Sequence, residues 1–308
     1  MKSFLAVGLT LLAVSCASGP SLREEDYPWQ GLGEKIQKLS AKEVAEFLAK
    51  ESPGIWSALE QDSKREDYRK LWGESLNFDE NAKATIVASG VIEAILARGG
   101  EKPPSGKDKR VVHAGLEHTY GYLFSTLPTP FGYKRARWVR DDIESGFHLP
   151  KGFLGPKPKQ GTLFSNVTYF FGRIAFRNDP KERAIVEKSK SYRPPQSMMT
   201  YPYFSLKVRR LEETVQLKNY EIQLRTDFVE FPYPGSSKNE HLLIYSFWDS
   251  RNGGQAKLIT GFPVEHNFAA MALDETQMGF EKVQSRYNAW IPGLTDSKEV
   301  VAGDRRIK

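Results

Sequence analysis

The chain has 308 residues, a formal net charge of +6, 40% hydrophobic and 27% charged residues, and a single cysteine. That composition excludes a disulfide framework and a bundle of membrane-spanning helices, and fits an ordinary globular protein with a sizeable core. The mild basic excess suits anionic headgroups or cell-wall polymers as neighbours.

Met1 and Lys2 lead into an apolar run over 4–14, then small residues and Cys16. This is the order of a secretory signal, and the run is too short to span a bilayer. The stretch Ala13-Val14-Ser15-Cys16 resembles the lipobox of bacterial lipoproteins, with Ala13 where that family prefers Leu. The resemblance implies removal of a signal peptide over 1–15, diacylglycerol on the Cys16 thiol, and an acyl chain such as palmitate on the new amino group. It also implies an address in the cell envelope. Ala17 stands where lipoproteins retained in the inner membrane commonly carry Asp, so the resemblance points to the outer membrane. Each buried acyl methylene contributes about 0.8 kcal/mol, so two or three chains hold a globular domain on a membrane durably. Nucleic acid is not an expected partner at that address.

Residues 16–33, polar and punctuated by Gly and Pro, read as a tether from the lipid. A helical region follows over 34–100. Ser40 with Glu43 three residues later is a capping-box pattern ahead of Val44, Phe47 and Leu48. Pro53 suits the first turn of a helix through Trp56 and Leu59. Asp79 is expected to cap a longer helix with Val87, Val91 and Ile95 on one face, ending at Gly99-Gly100. The Gly-, Pro- and Lys-rich stretch after it marks a boundary.

From 110 to 308 the hydrophobic period becomes that of strands. Residues 220–231 alternate apolar and polar, predicting a strand with one dry and one wet face. Residues 242–248 are apolar on both faces and turn at Asn252-Gly253-Gly254 into 256–262, a hairpin near the centre of a sheet. Residues 163–176 and 204–211 are further expected strands. Asp274 is expected to cap a helix through Met278, Val283 and Tyr287. The expected fold class is α+β: an N-terminal helical region followed by a large antiparallel β-sheet region of six or more strands, with a C-terminal helix.

Chemistry-bearing residues concentrate in 111–150. His113, Glu117 and His118, with Asp141, form a candidate catalytic set, although the five-residue step between the histidines is not the zincin spacing. A turn around Gly115 is needed to gather them. Tyr120, Tyr122 and Phe124 alternate with smaller residues, so Tyr120 and Tyr122 form either a ligand-stacking stripe or the core face of a sheet. Arg135 and Arg137 beside Trp138 suit a phosphate or carboxylate, unless Asp141 and Asp142 pair with them.

Three functions remain open. One is an envelope lipoprotein, attached to the membrane through lipid on Cys16, whose β-rich domain binds an anionic lipid, glycan or protein partner or has a structural role. The second is an anchored hydrolase that uses the 113–142 stretch, with zinc as its cofactor if it has one. The third is an assembly subunit that docks on a membrane protein through its helical region.

Overall fold

The structure, a computed structural model, describes residues 30–79, 82–100, 111–129, 132–134, 138, 141–232, 240–251, 254–274, 285–295 and 300–308. The leader, Cys16 and the boundary at 101–110 lie outside the described residues.

Four helices come first: α1 (Gln30–Ile36), α2 (Ala41–Glu51), α3 (Pro53–Ser63) and α4 (Glu66–Arg69). Ser40 caps α2 as its spacing predicts: its hydroxyl accepts from the Glu43 amide while the Glu43 carboxylate accepts from the Ser40 amide. Pro53 opens α3. A short strand β1 (Glu74–Leu76) and a ribbon of β2 (Phe78–Asp79) with β3 (Ala84–Thr85) then precede α5 (Ser89–Arg98). Asp79 therefore caps no helix. It pairs with Lys134 and accepts from the Ala82 amide, while the Asn77 side chain clasps both backbone groups of Val87 at 2.7 and 3.1 Å. Those local bonds hold 77–79 and 82–87 in a ribbon that competes with helix.

The next stretch departs furthest from its sequence pattern. After β4 (Val111–His113), Gly115 turns the chain at φ +105° into α6 (Leu116–Tyr120) and a 3-10 turn over Gly121–Phe124. Tyr120, Tyr122 and Phe124 thus sit on helical turns, not on a strand. A ribbon of β5 (Pro128–Thr129) with β6 (Gly132–Tyr133) is followed by α7 (Asp141–Gly146), α8 (Leu163–Ala175), α9 (Pro180–Glu187) and α10 (Gln196–Met199). The expected strand at 163–176 is thus a helix. Its run of Val167, Thr168, Tyr169, Phe170 and Phe171 has strand propensity, but Thr162 and Ser165 cap it reciprocally and all its residues except Arg173 are buried. Leu163, Phe164, Val167, Phe170, Phe171 and Ile174 also recur at three- and four-residue steps, so the segment carries the apolar stripe of a helix, and that period outweighs the strand preference of single residues.

The large sheet begins only at β7 (Val208–Leu217) and continues through β8 (Glu221–Phe231), β9 (Glu240–Asp249) and β10 (Gln255–Val264). α11 (His266–Ala272), β11 (Ala289–Trp290) and β12 (Val300–Ile307) complete the chain. The sheet has five strands in the order β10-β9-β8-β7-β12, all antiparallel, and a smaller sheet joins β11, β1 and β4. The fold is α+β with a large antiparallel sheet, which has five strands among the described residues against the expected six or more. α11 follows the β9–β10 hairpin and packs Ala269 and Leu273 against the sheet. Of the helix expected after Asp274, Met278 and Val283 lie outside the described residues, and Tyr287 sits in a turn at φ +54°.

Both faces of the sheet are covered. Val229, Phe231, Leu242, Ile244 and Leu258 join one core with α2, α3, α5 and α8. Leu211, Ile222, Leu224, Tyr245 and Phe247 form a second core with α11, Ile291 and Leu294. The face of β8 expected to be wet is therefore dry in part: Glu221 and Gln223 are half-buried, and Arg225 and Asp227 are buried. Asp227 there is fully buried and accepts from Arg210 at 2.8 Å and Arg177 at 3.1 Å, and Arg225 pairs with Asp179 at 2.7 Å. Arg210 also donates to the Ala175 carbonyl at the end of α8, tying the helical layer to the sheet. The edge of β10 is closed by the segment after α4: Leu258 donates to the Leu71 carbonyl at 2.7 Å and accepts from the Gly73 amide at 2.8 Å. Covering an edge in this way removes a template for pairing with other chains.

Candidate functional site

The candidate residues converge where α6 wedges between α3, α5, α8 and the edge strand β10. A Cβ on Gly115 would lie 3.4 Å from Phe164 and Trp72, so the turn that starts α6 is tight as well as left-handed. Every residue of α6 is buried.

Tyr120 donates its hydroxyl to Asp62 Oδ2 at 2.6 Å. Asp62 Oδ1 accepts from Arg65 at 2.7 Å and from the Thr162 hydroxyl at 2.8 Å. Thr162 is the cap of α8, so one carboxylate joins α3, α6 and the start of α8. Burial raises the Asp62 carboxyl above its usual range, and the bonds from Tyr120, Thr162 and Arg65 pull against that rise.

His118 points the other way, with Nε2 at 2.9 Å from the Thr260 hydroxyl. Its ring centre lies 4.3 Å from Tyr122, 6.0 Å from Trp72 and 6.5 Å from Trp138. Trp72 donates to the Thr168 hydroxyl at 2.9 Å, and Trp138 donates to the Gly261 carbonyl at 2.6 Å. Trp138 also meets Phe171 edge-on at 5.7 Å. Tyr120, Tyr122 and Trp138 are therefore core rings with no open face for a ligand.

Glu117 is buried beside them with one carboxyl oxygen lacking a hydrogen bond among the described residues. Its burial pushes the carboxyl up to about 8, only partly offset by its own backbone and the charge of Arg69. At neutral pH it is protonated.

The remaining candidates are only partly in view. His113 closes β4 opposite Glu74, and Asp141 and Asp142 open α7 instead of lying on a strand, but the side chains of all three are outside the described residues. Arg135 and Arg137 lie outside them altogether. Among the described residues, no group of three or more His, Cys, Asp or Glu side chains could hold a metal.

The sequence reading missed the partners that organise this region: Asp62, Arg65, Thr162, Thr260 and Trp72. Only Asp62 carries a signal, since Ile55, Leu59 and Asp62 fall on one face of α3 at helical spacing, placing an acid in an apolar stripe. Compared with family models, with curated proteins and with solved structures, the chain matches none.

Proposed function

We propose that the chain is a lipid-anchored protein of the bacterial cell envelope, more fittingly of the outer membrane, that works by binding or by holding structure. The anchoring half rests on Ala13-Val14-Ser15-Cys16 and on Ala17. The observation that carries the other half is how the fold uses its chemistry-bearing side chains. His118 bonds to Thr260, Tyr120 to Asp62 and Trp138 to Gly261, all inside the core. A hydrolase working on this stretch needs a carboxylate that water and substrate can reach, and Glu117 is buried among core rings. Docking through an apolar helical stripe has little to draw on, because Val44, Leu48, Leu59, Val91 and Ile95 are all buried.

Labelling with radioactive palmitate tests the anchor. The wild-type chain is expected to take the label and enter the detergent phase on Triton X-114 partition. Cys16→Ser is expected to lose the label and move to the aqueous phase. An unlabelled wild-type chain would overturn the reading.

A further inference from the structure

Two of the most exposed large apolar side chains, Phe204 at 67% and Met199 at 48%, stand in the segment that leads from α9 into the sheet. Between 180 and 209 this segment carries seven Lys and Arg against two acids. Both acids are engaged: Glu182 is buried and accepts from the Ala256 amide, and Glu187 pairs with Arg173 at 3.3 Å. The cations face outward, with Lys181, Lys188 and Arg209 exposed, while Lys207, also exposed, lies 3.7 Å from Glu230. Arg183 lies over the Phe204 ring at 5.6 Å, so positive charge and protruding aromatic share one patch. Phe204 itself is held up by a rigid base, since the adjacent Tyr203 is buried against Tyr169, Phe170 and Arg173.

We propose that this 180–209 surface lies against an anionic lipid bilayer, with Phe204 and Met199 inserted at the headgroup level and the surrounding Lys and Arg held by lipid phosphates. An aromatic and a thioether that project from a basic surface suit a fluid interface, which needs no complementary shape, whereas a protein partner would need one. Each Lys or Arg near an anionic surface strengthens binding severalfold. The inference deepens the anchored reading, which supplies only nearness to a bilayer: once a lipid on Cys16 keeps the domain close, even weak contact is nearly saturated.

The test is flotation of the full chain carrying Cys16→Ser with phosphatidylcholine vesicles, with and without phosphatidylglycerol, at low and high salt. Binding is expected only to the anionic vesicles and to weaken in high salt. Phe204→Glu with Met199→Glu, and separately Lys181→Glu with Arg209→Glu, are each expected to lower the bound fraction about tenfold or more, with thermal unfolding unchanged. Because the leader is common to all variants and adds the same affinity to each, flotation is read at lipid concentrations below saturation, where a difference between variants shows. Equal flotation of the surface variants would overturn the proposal, as would indifference to phosphatidylglycerol. Loss of Cys16 acylation with vesicle binding intact removes the anchor and keeps the surface. Acylation without surface-dependent binding removes the surface alone.

Discussion

Asp62 occupies a position on α3 where the spacing of Ile55 and Leu59 calls for another apolar side chain. Its cost is offset by three donors, and removing it leaves Arg65, itself 6% exposed, without its carboxylate. Asp62→Ala is therefore expected to destabilise the protein by about 3–5 kcal/mol in urea denaturation, as for other buried pairs that lose one partner. Glu117 works in the opposite sense, because it has burial without a charged partner in bonding range among the described residues. Its carboxyl titrates near 8 in the folded chain against an ordinary 4.5, so the unfolded chain gives up this proton first as pH rises. Below about pH 4 both states keep the proton and the group is neutral for stability; from about pH 4.5 to pH 8 stability falls, and above that the loss is complete. Glu117→Gln removes the dependence. It is expected to gain on the order of 3 kcal/mol at pH 7 and nothing near pH 4, read from denaturation midpoints across that range. A variant that tracks the wild type at every pH would mean Glu117 is ionised in the fold.

Among the elements, α5 and α8 set the spacing of the helical layer. Gly90 lets α5 approach the linker before α2 so closely that a Cβ would lie 2.3 Å from the Leu39 carbonyl oxygen. Backbone cannot yield as a side-chain tip can, so Gly90→Ala is expected to cost about 1–3 kcal/mol. Gly54, in the first turn of α3, is the matched control. A Cβ there meets nothing within 4 Å, and Gly54→Ala is expected to stabilise by about 0.5–1 kcal/mol. Thermal melts of the two variants check both signs together. At the far edge of the helical layer, Gly261 on β10 has Phe171 of α8 2.6 Å from where its Cβ would sit, so the helix and the sheet meet at van der Waals contact. The hydrogen bond from Trp138 to Gly261 lies on the same strand position and closes what would otherwise be an open edge.

At the scale of the whole molecule, the helices and one sheet face share a single core, and the sheet is the wall between that core and a second one. Arg177, Arg210 and Asp227 cross the boundary between helices and sheet inside it. Helical region and β region are accordingly expected to unfold together. Far-ultraviolet ellipticity, dominated by helix, and tryptophan fluorescence, to which all six tryptophans contribute, Trp72, Trp138 and Trp248 near β10 among them, are expected to give coincident denaturation curves. Two separated transitions would show that the layers are independent domains.

Local chemistry carried a good part of the fold in the sequence itself. Ser40 and Glu43 spell out a cap, Pro53 a helix start and Gly99-Gly100 a helix end, and each is satisfied within a few residues along the chain. The strands β8, β9 and β10 were legible because their alternation or double-sided apolarity follows directly from the pleat, and the α+β class follows from the change of period. What the sequence alone did not decide is which second surface meets each element. The burial of the polar side of Leu163–Ala175 depends on what is laid against it, the burial of Arg225 and Asp227 on β8 depends on the helices laid across it, and the uses of His118, Tyr120 and Trp138 depend on Thr260, Asp62 and Gly261, which lie far away along the chain. Hydrophobic period records one dry face at most. Only the tertiary structure brings remote partners within hydrogen-bonding distance, and with them it places His118, Tyr120 and Trp138 in the core.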